Sequence, residues 1–182
     1  MHSVYRNGFS LLEVLIAVFI LCVGLLGVLA LQLSTLHTAQ DAHFETIALH
    51  LATEIAEQMR TATDSAEAMR QWQQLDYDSA AAQPDSRPIL CYGDGRSCSP
   101  GQLAAFEIEQ WKSRTRMQLP AGRLRICRDQ TPWQADDKRP SWACSNHGNA
   151  PVWIKLGWQA RHTDAPASSA PKLLLPVGAL LD

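Results

Sequence analysis

The sequence predicts an α+β protein in which one long N-terminal helix, apolar in its first half, packs on a small C-terminal antiparallel β-sheet. Three observations carry that prediction. Val14 to Leu31 are eighteen consecutive residues with no charged or strongly polar side chain. Apolar side chains then recur at helical spacing at Phe44, Ile47, Leu51, Ile55 and Met59. Farther on, Leu124-Arg125-Ile126 and the stretch from Val152 to Trp158 alternate as strands do, and Lys172 to Val177 offers a third.

The apolar run sets the organisation. With its flanks, Phe9 to Leu33 makes about 25 helical residues, roughly 37 Å at about 1.5 Å per residue, against a hydrocarbon core of about 30 Å. That length spans a bilayer. Secretory signals carry shorter apolar cores of about 7–15 residues, although Val28 and Ala30 imitate a small-residue cleavage site and keep a cleaved signal as an alternative. Arg6 precedes the run, and no Lys or Arg occurs between Phe9 and Met59, so positive charge places the N-terminus in the cytoplasm and the remainder across the membrane. No Gly or Pro interrupts the chain from Val28 to Pro84, and one helix is expected from Phe9 to about Ala62, roughly 80 Å long at about 1.5 Å per residue. His43, Glu45, Glu54 and Glu57 fall largely off its apolar face. His37, His43 and His50 lie six and seven apart rather than three or four, which disfavours a metal site on this helix.

Glu13 is the exception in this greasy segment. A carboxylate near a helix end either reaches the cytoplasmic interface of an ordinary anchor or needs a compensating charge. Its setting is specific: Gly8-Phe9-Ser10-Leu11-Leu12-Glu13 follows a short basic leader and runs directly into the apolar helix. This arrangement resembles the type IV prepilin motif. The resemblance implies cleavage by a prepilin peptidase between Gly8 and Phe9, methylation of the new amine of Phe9, and pairing of Glu13 with the N-terminal amine of a neighbouring subunit. Gly8 suits the cleavage site because a residue without Cβ enters a narrow cleft in extended form. Ser10 and Leu11 stand where Thr and Ile are commoner. The mid-helix proline of many major pilins is missing, and Gly24 and Gly27 stand in that stretch, either weakening the helix or serving close helix packing.

On this reading, residues 1–8 are a leader, 9–62 the long helix with its transmembrane part at 9–33, and 63–182 a periplasmic globular domain. Asp64-Ser65-Ala66-Glu67 reads as a capping box with Asp64 as cap, opening a short helix to about Leu75. Ser99, Pro100 and Gln102 signal another helix start, with Leu103, Phe106, Trp111 and Met117 as its apolar side and Leu119-Pro120-Ala121-Gly122 as its end. Arg123, Arg125 and Arg128 read as exposed strand residues. Cys22 reads as a packed thiol in the membrane helix. Cys91, Cys98, Cys127 and Cys144 are an even set in an oxidising compartment; of their three pairings, Cys91–Cys98 with Cys127–Cys144 is preferred because each closes a short loop containing Gly or Pro. A zinc site using these thiols and His147 is the rival.

A formal charge of −2 with no basic cluster gives no footprint for nucleic acid. Hydrolase elbows, phosphate loops, zinc-protease and dinucleotide fingerprints are missing from the sequence, and Asp136, Asp137 and His147 read as loop residues. No cofactor is expected and the chain does not read as an enzyme. The order of elements also resembles minor pilins of the PilV type, the type IV pilus modification proteins. That implies an inner-membrane subunit contacting minor and major pilins through its helix, joining pilus initiation, and influencing a tip adhesin, adhesion and twitching motility. A minor pseudopilin of a type II secretion system shares leader, helix and small domain; a membrane-anchored periplasmic binding module or enzyme is the reading from another class.

Overall fold

A computed structural model describes residues 10–62, 64–81, 91, 97–136, 138–159 and 169–177. Its elements in chain order are α1 (Leu11–Thr61), α2 (Ala66–Gln73), β1 (Asp76–Asp78), α3 (Pro100–Gln118), β2 (Arg123–Arg128), β3 (Val152–Gly157) and β4 (Leu173–Pro176). The chain divides into two compact units, Met1–Asp41 and Ala42–Asp182. The long N-terminal helix and small antiparallel sheet make this the α+β fold that the sequence predicts.

In the second unit, the sheet has strand order β1-β2-β3-β4, each neighbouring pair antiparallel. The alternation in β2 and β3 sends Leu124, Ile126, Ile154 and Leu156 to one face, and all four are fully buried. Ala48, Leu51, Ala52, Ile55, Ala56 and Met59 of α1 join them in a single core. The helical spacing read in the sequence is this face, with alanines between the large residues letting the helix approach the sheet. Phe44 and Ile47 are partly buried at its edge. His43, Glu45, Glu54 and Glu57 are exposed.

The two short helices complete the core. The α2 cap is Ser65 rather than Asp64: its Oγ accepts from the Ala68 N–H at 3.2 Å. Glu67 instead lies against Gly101 of α3, where an added Cβ would meet the Glu67 carboxyl at 2.6 Å. In α3 the Ser99 and Gln102 side chains each accept from the other's backbone N–H, and Pro100 occupies the first turn, the capping box expected there. The buried face of α3 includes Trp111 as expected but otherwise differs from the expected one. Gly101, Ala104, Ile108, Trp111 and Thr115 point inward, whereas Leu103 is at the exposed margin and Met117 is 72% exposed. Small residues win these positions because α3 packs closely on α2. Trp111 Nε1 donates to Gln58 Oε1 on α1, and Arg114 lies 4.2 Å from the Trp111 ring centroid while pairing with Glu54 at 2.9 Å.

After α3 the chain reverses at Leu119-Pro120-Ala121-Gly122, with Ala121 at φ 47°. A Cβ on Gly122 would meet the Thr115 carbonyl oxygen and Cγ2 at 2.9 Å, so only glycine fits this return into β2. β1 was not foreseen; only three residues long, it places buried Tyr77 between two aspartates on the sheet edge.

The other sheet face is covered by the segment between β2 and β3, organised by an ion pair. Lys155 and Asp129 are both buried, with Nζ–Oδ2 at 2.6 Å. The ammonium also donates to the carbonyls of Ser141 at 2.8 Å and Ala143 at 2.5 Å, so all three donors are used. The second Asp129 oxygen accepts from the N–H groups of Thr131 and Ser145, each at 3.3 Å. Cys127 and Cys144 form a disulfide at the base of this segment with Cα atoms 6.2 Å apart; Cys91 and Cys98 form another with Cα atoms 5.6 Å apart. The three strand arginines are half-buried and engaged rather than exposed. Arg123 lies 4.4 Å from the Trp142 ring centroid, Arg123 and Arg125 pair with Asp76 at 3.4 and 3.3 Å, and Arg128 donates to Gln73 and Ala150.

Lys155→Met removes the ammonium and leaves the Asp129 carboxylate buried without its counter-charge. The expected cost in chemical unfolding of the full chain in detergent is about 3–5 kcal/mol. Lys155→Met/Asp129→Asn should recover a large part of that loss, and equal instability of both variants would contradict the role given to the pair. A second prediction concerns Glu107 on α3, whose carboxyl is pushed up by desolvation. With the folded value raised, ionised Glu107 opposes folding above that value, and the effect vanishes below the ordinary carboxylate range. Glu107→Gln should therefore be more stable than the parent at neutral pH, by up to about 0.5 kcal/mol, and equal to it in acid. A difference independent of pH would exclude this cause.

Candidate functional site

The first unit contributes the part of α1 through Asp41. The Ser10 carbonyl accepts from the N–H groups of Glu13 at 3.0 Å and Val14 at 3.3 Å, which starts the helix. Glu13 consequently sits in the first turn, where the helix dipole favours a carboxylate by about 0.3–1 kcal/mol. That stabilises the helix end without neutralising the charge for burial in an apolar bundle. Glu13 shares a helix face with Ala17 and Leu21, each one turn further on. Gly8 and Phe9, the expected cleavage and methylation positions, lie outside the described residues.

On both sides of Glu13 the large apolar side chains stand outward, among them Leu11 at 82% and Phe19 at 66% exposure, and Leu31 and Leu36 far along the helix. The helix is long and apolar enough to cross a membrane, and none of its most apolar eighteen-residue stretch is buried within the chain. Each such side chain left in water forgoes about 1.5–3 kcal/mol of burial. The run therefore calls for lipid or for other apolar helices around it. Cys22 is an exposed free thiol within this stretch. Cβ atoms built on Gly24 and Gly27 meet nothing within 4 Å, so no packing inside the chain requires glycine at either position.

The polar transition is gradual. Thr35 Oγ1 donates to the Gln32 carbonyl at 2.8 Å, and Thr38 Oγ1 to the Ser34 carbonyl at 3.1 Å. These hydroxyls satisfy themselves on the helix backbone, which lets them lie near an apolar boundary at little cost.

Of the sequence-derived site residues, Glu13 stands on α1 in the first unit and the four paired cysteines in the second. His147 is an exposed loop residue, and Asp136 lies in an exposed turn. Reading the sequence missed the Lys155–Asp129 pair. Its one signal was a lysine inside the otherwise apolar alternation of β3.

Residues 4–29 match the model of the prokaryotic N-terminal methylation motif. The match spans Gly8, Phe9, Glu13 and most of the apolar run. No curated protein and no solved structure matches the chain. The motif supports a type IV pilin or pseudopilin class of protein, structural in kind. Together with the apolar helix it fits membrane anchoring.

A charge placed mid-run tests the lipid requirement. Phe19→Lys should lower the share of protein resisting alkaline extraction from membranes, since a central charge costs about 2.5–3.5 kcal/mol on insertion scales. Thr46→Lys, beyond the run, should leave extraction unchanged. Equal extraction of both variants would show that the run does not lie in hydrocarbon.

Proposed function

We propose that this chain is a minor pilin of the PilV type, anchored in the inner membrane with its globular domain in the periplasm before incorporation into a type IV pilus. Prepilin peptidase cuts between Gly8 and Phe9 and the Phe9 amine is methylated. The observation that carries the reading is Glu13 at the head of the bare apolar run, inside the matched motif. Phe9 and Glu13 are four residues apart, about 6 Å along a helix axis. A neighbouring parallel helix displaced by that rise brings its amine level with this carboxylate. Charge attraction strengthens as the surrounding dielectric falls, and a paired carboxylate escapes the cost of entering the bundle alone.

The apolar run supplies the contacts to minor and major pilins, while the second unit supplies a surface for a tip adhesin and hence for adhesion and twitching motility. The mechanism needs no cofactor: the helix provides a register set by one ion pair, and lateral apolar packing provides most of the attraction.

Two substitutions separate the steps. Gly8→Leu should leave unprocessed chain in the membrane and none in sheared pili. Glu13→Ala should be processed normally but enter pili on the order of tenfold less, for an interaction of ~1.4 kcal/mol. Normal processing and piliation of the Gly8 variant would sink the proposal. Deletion should abolish twitching; loss of protein secretion with intact twitching would instead assign the chain to a type II secretion filament.

A further inference from the structure

A cavity of about 390 Å³ lies between the C-terminal end of α2 and β2, lined by Arg70, Gln73, Asp76, Arg125, Arg128 and Asn146 among others. The volume falls within the usual range of small-ligand sites, about 300–1,000 Å³. Its charges do not cancel. The Asp76 carboxylate is already shared between Arg123 and Arg125 at 3.4 and 3.3 Å. Among the described residues Arg128 donates only to neutral acceptors, Gln73 Oε1 at 3.3 Å and the Ala150 carbonyl at 2.9 Å. Arg70 makes no ion pair among the described residues, and it is exposed at the rim.

The side-chain amides of Gln73 and Asn146 add further donors. Gln73 Nε2 is buried and has no hydrogen-bond partner. An orphaned buried donor is unfavourable, and a ligand oxygen would satisfy it. Asn146, at φ 52°, donates its backbone N–H to the Arg128 carbonyl at 2.9 Å. That contact uses the Arg128 carbonyl at the end of β2 beyond its pairing with β1. Its base is fixed by the Cys127–Cys144 disulfide, two residues from Asn146.

The geometry points to a binding site for a small polyhydroxylated carboxylate, the chemistry of an acidic sugar. The carboxylate meets the planar guanidinium donors of Arg70 and Arg128. Ring hydroxyls meet the side-chain amides of Gln73 and Asn146, groups that both donate and accept. A lone carboxylate side chain from a protein partner would leave most of this volume unfilled. The inference stands on the second unit alone and does not depend on the filament reading.

The test is a titration of the full chain in detergent micelles with D-glucuronate, followed through the arginine side-chain N–H resonances, with acetate and D-glucose as controls. Glucuronate should shift the Arg70 and Arg128 signals saturably, acetate should bind at least about tenfold more weakly, and glucose should give no saturable shift. Arg70→Gln, at an exposed position, should weaken glucuronate binding about tenfold with the remaining spectrum unchanged. Arg128→Lys keeps the charge but loses the fork, and should weaken it too. Absence of a saturable glucuronate shift, equal affinity for acetate or glucose, or full binding by Arg70→Gln would overturn the assignment.

Discussion

Glu13 stands at the head of a helix whose next several turns carry no other charge and present mainly hydrocarbon to their surroundings, and its charge constrains where that helix can go. The helix end supplies partial compensation through its dipole, enough for a carboxylate at an interface. Deeper entry among apolar helices needs a full opposite charge. In the proposed assembly, the amine exposed by cutting ahead of Phe9 provides it on the adjoining subunit. Hydrophobic packing alone tolerates many axial offsets between smooth apolar rods, because lipid and side chains are similarly apolar. One ion pair removes that degeneracy. The strength of the attraction and its register thus come from different residues of the same short segment.

The second unit solves a separate problem, that of burying two faces of a four-stranded sheet in a chain of modest length. The inner face takes a stripe of α1 from Ala48 to Met59, narrow because alanines alternate with Leu51, Ile55 and Met59. Among the described residues no helix covers the outer face. Instead the connection from β2 to β3 folds over it, and the Lys155 ammonium gathers two of its carbonyls and the Asp129 carboxylate. An apolar side chain at 155 would fill space but could not hold irregular backbone, whose carbonyls need donors once removed from water. The same covering segment positions Asn146 against β2 and so shapes the wall of the arginine-lined cavity.

The long helix was legible because no Gly or Pro interrupts the chain between Gly27 and Pro84 and because its charges lie largely off the apolar face. The Ser99 capping box and the Leu119–Gly122 turn were legible because their chemistry is local. What escaped was decided by distant neighbours. Nothing near Asp76-Tyr77-Asp78 announces a strand, since its pairing is with Arg123 to Arg125 far along the chain. Leu103 and Met117 looked like core by size, yet close packing of α3 on α2 selects Gly101 and Ala104. A lysine in a strand ordinarily reads as solvent-facing, and Lys155 is buried only because the covering loop brings its acceptors. Arg70 and Arg128 meet across a cavity that no sequence spacing reveals. Around Glu13, by contrast, the signal is contiguous, and the motif match falls on the residues from which it was read.

The measurement closest to the central claim is the intact mass of the protein extracted from its native membrane, with sequencing of its first peptide by fragmentation. The expected species begins at Phe9 and carries one methyl group on its amine. A chain that still begins at Met1, or one that begins beyond the apolar run, would contradict the account, because neither leaves a free amine on a membrane helix to meet Glu13.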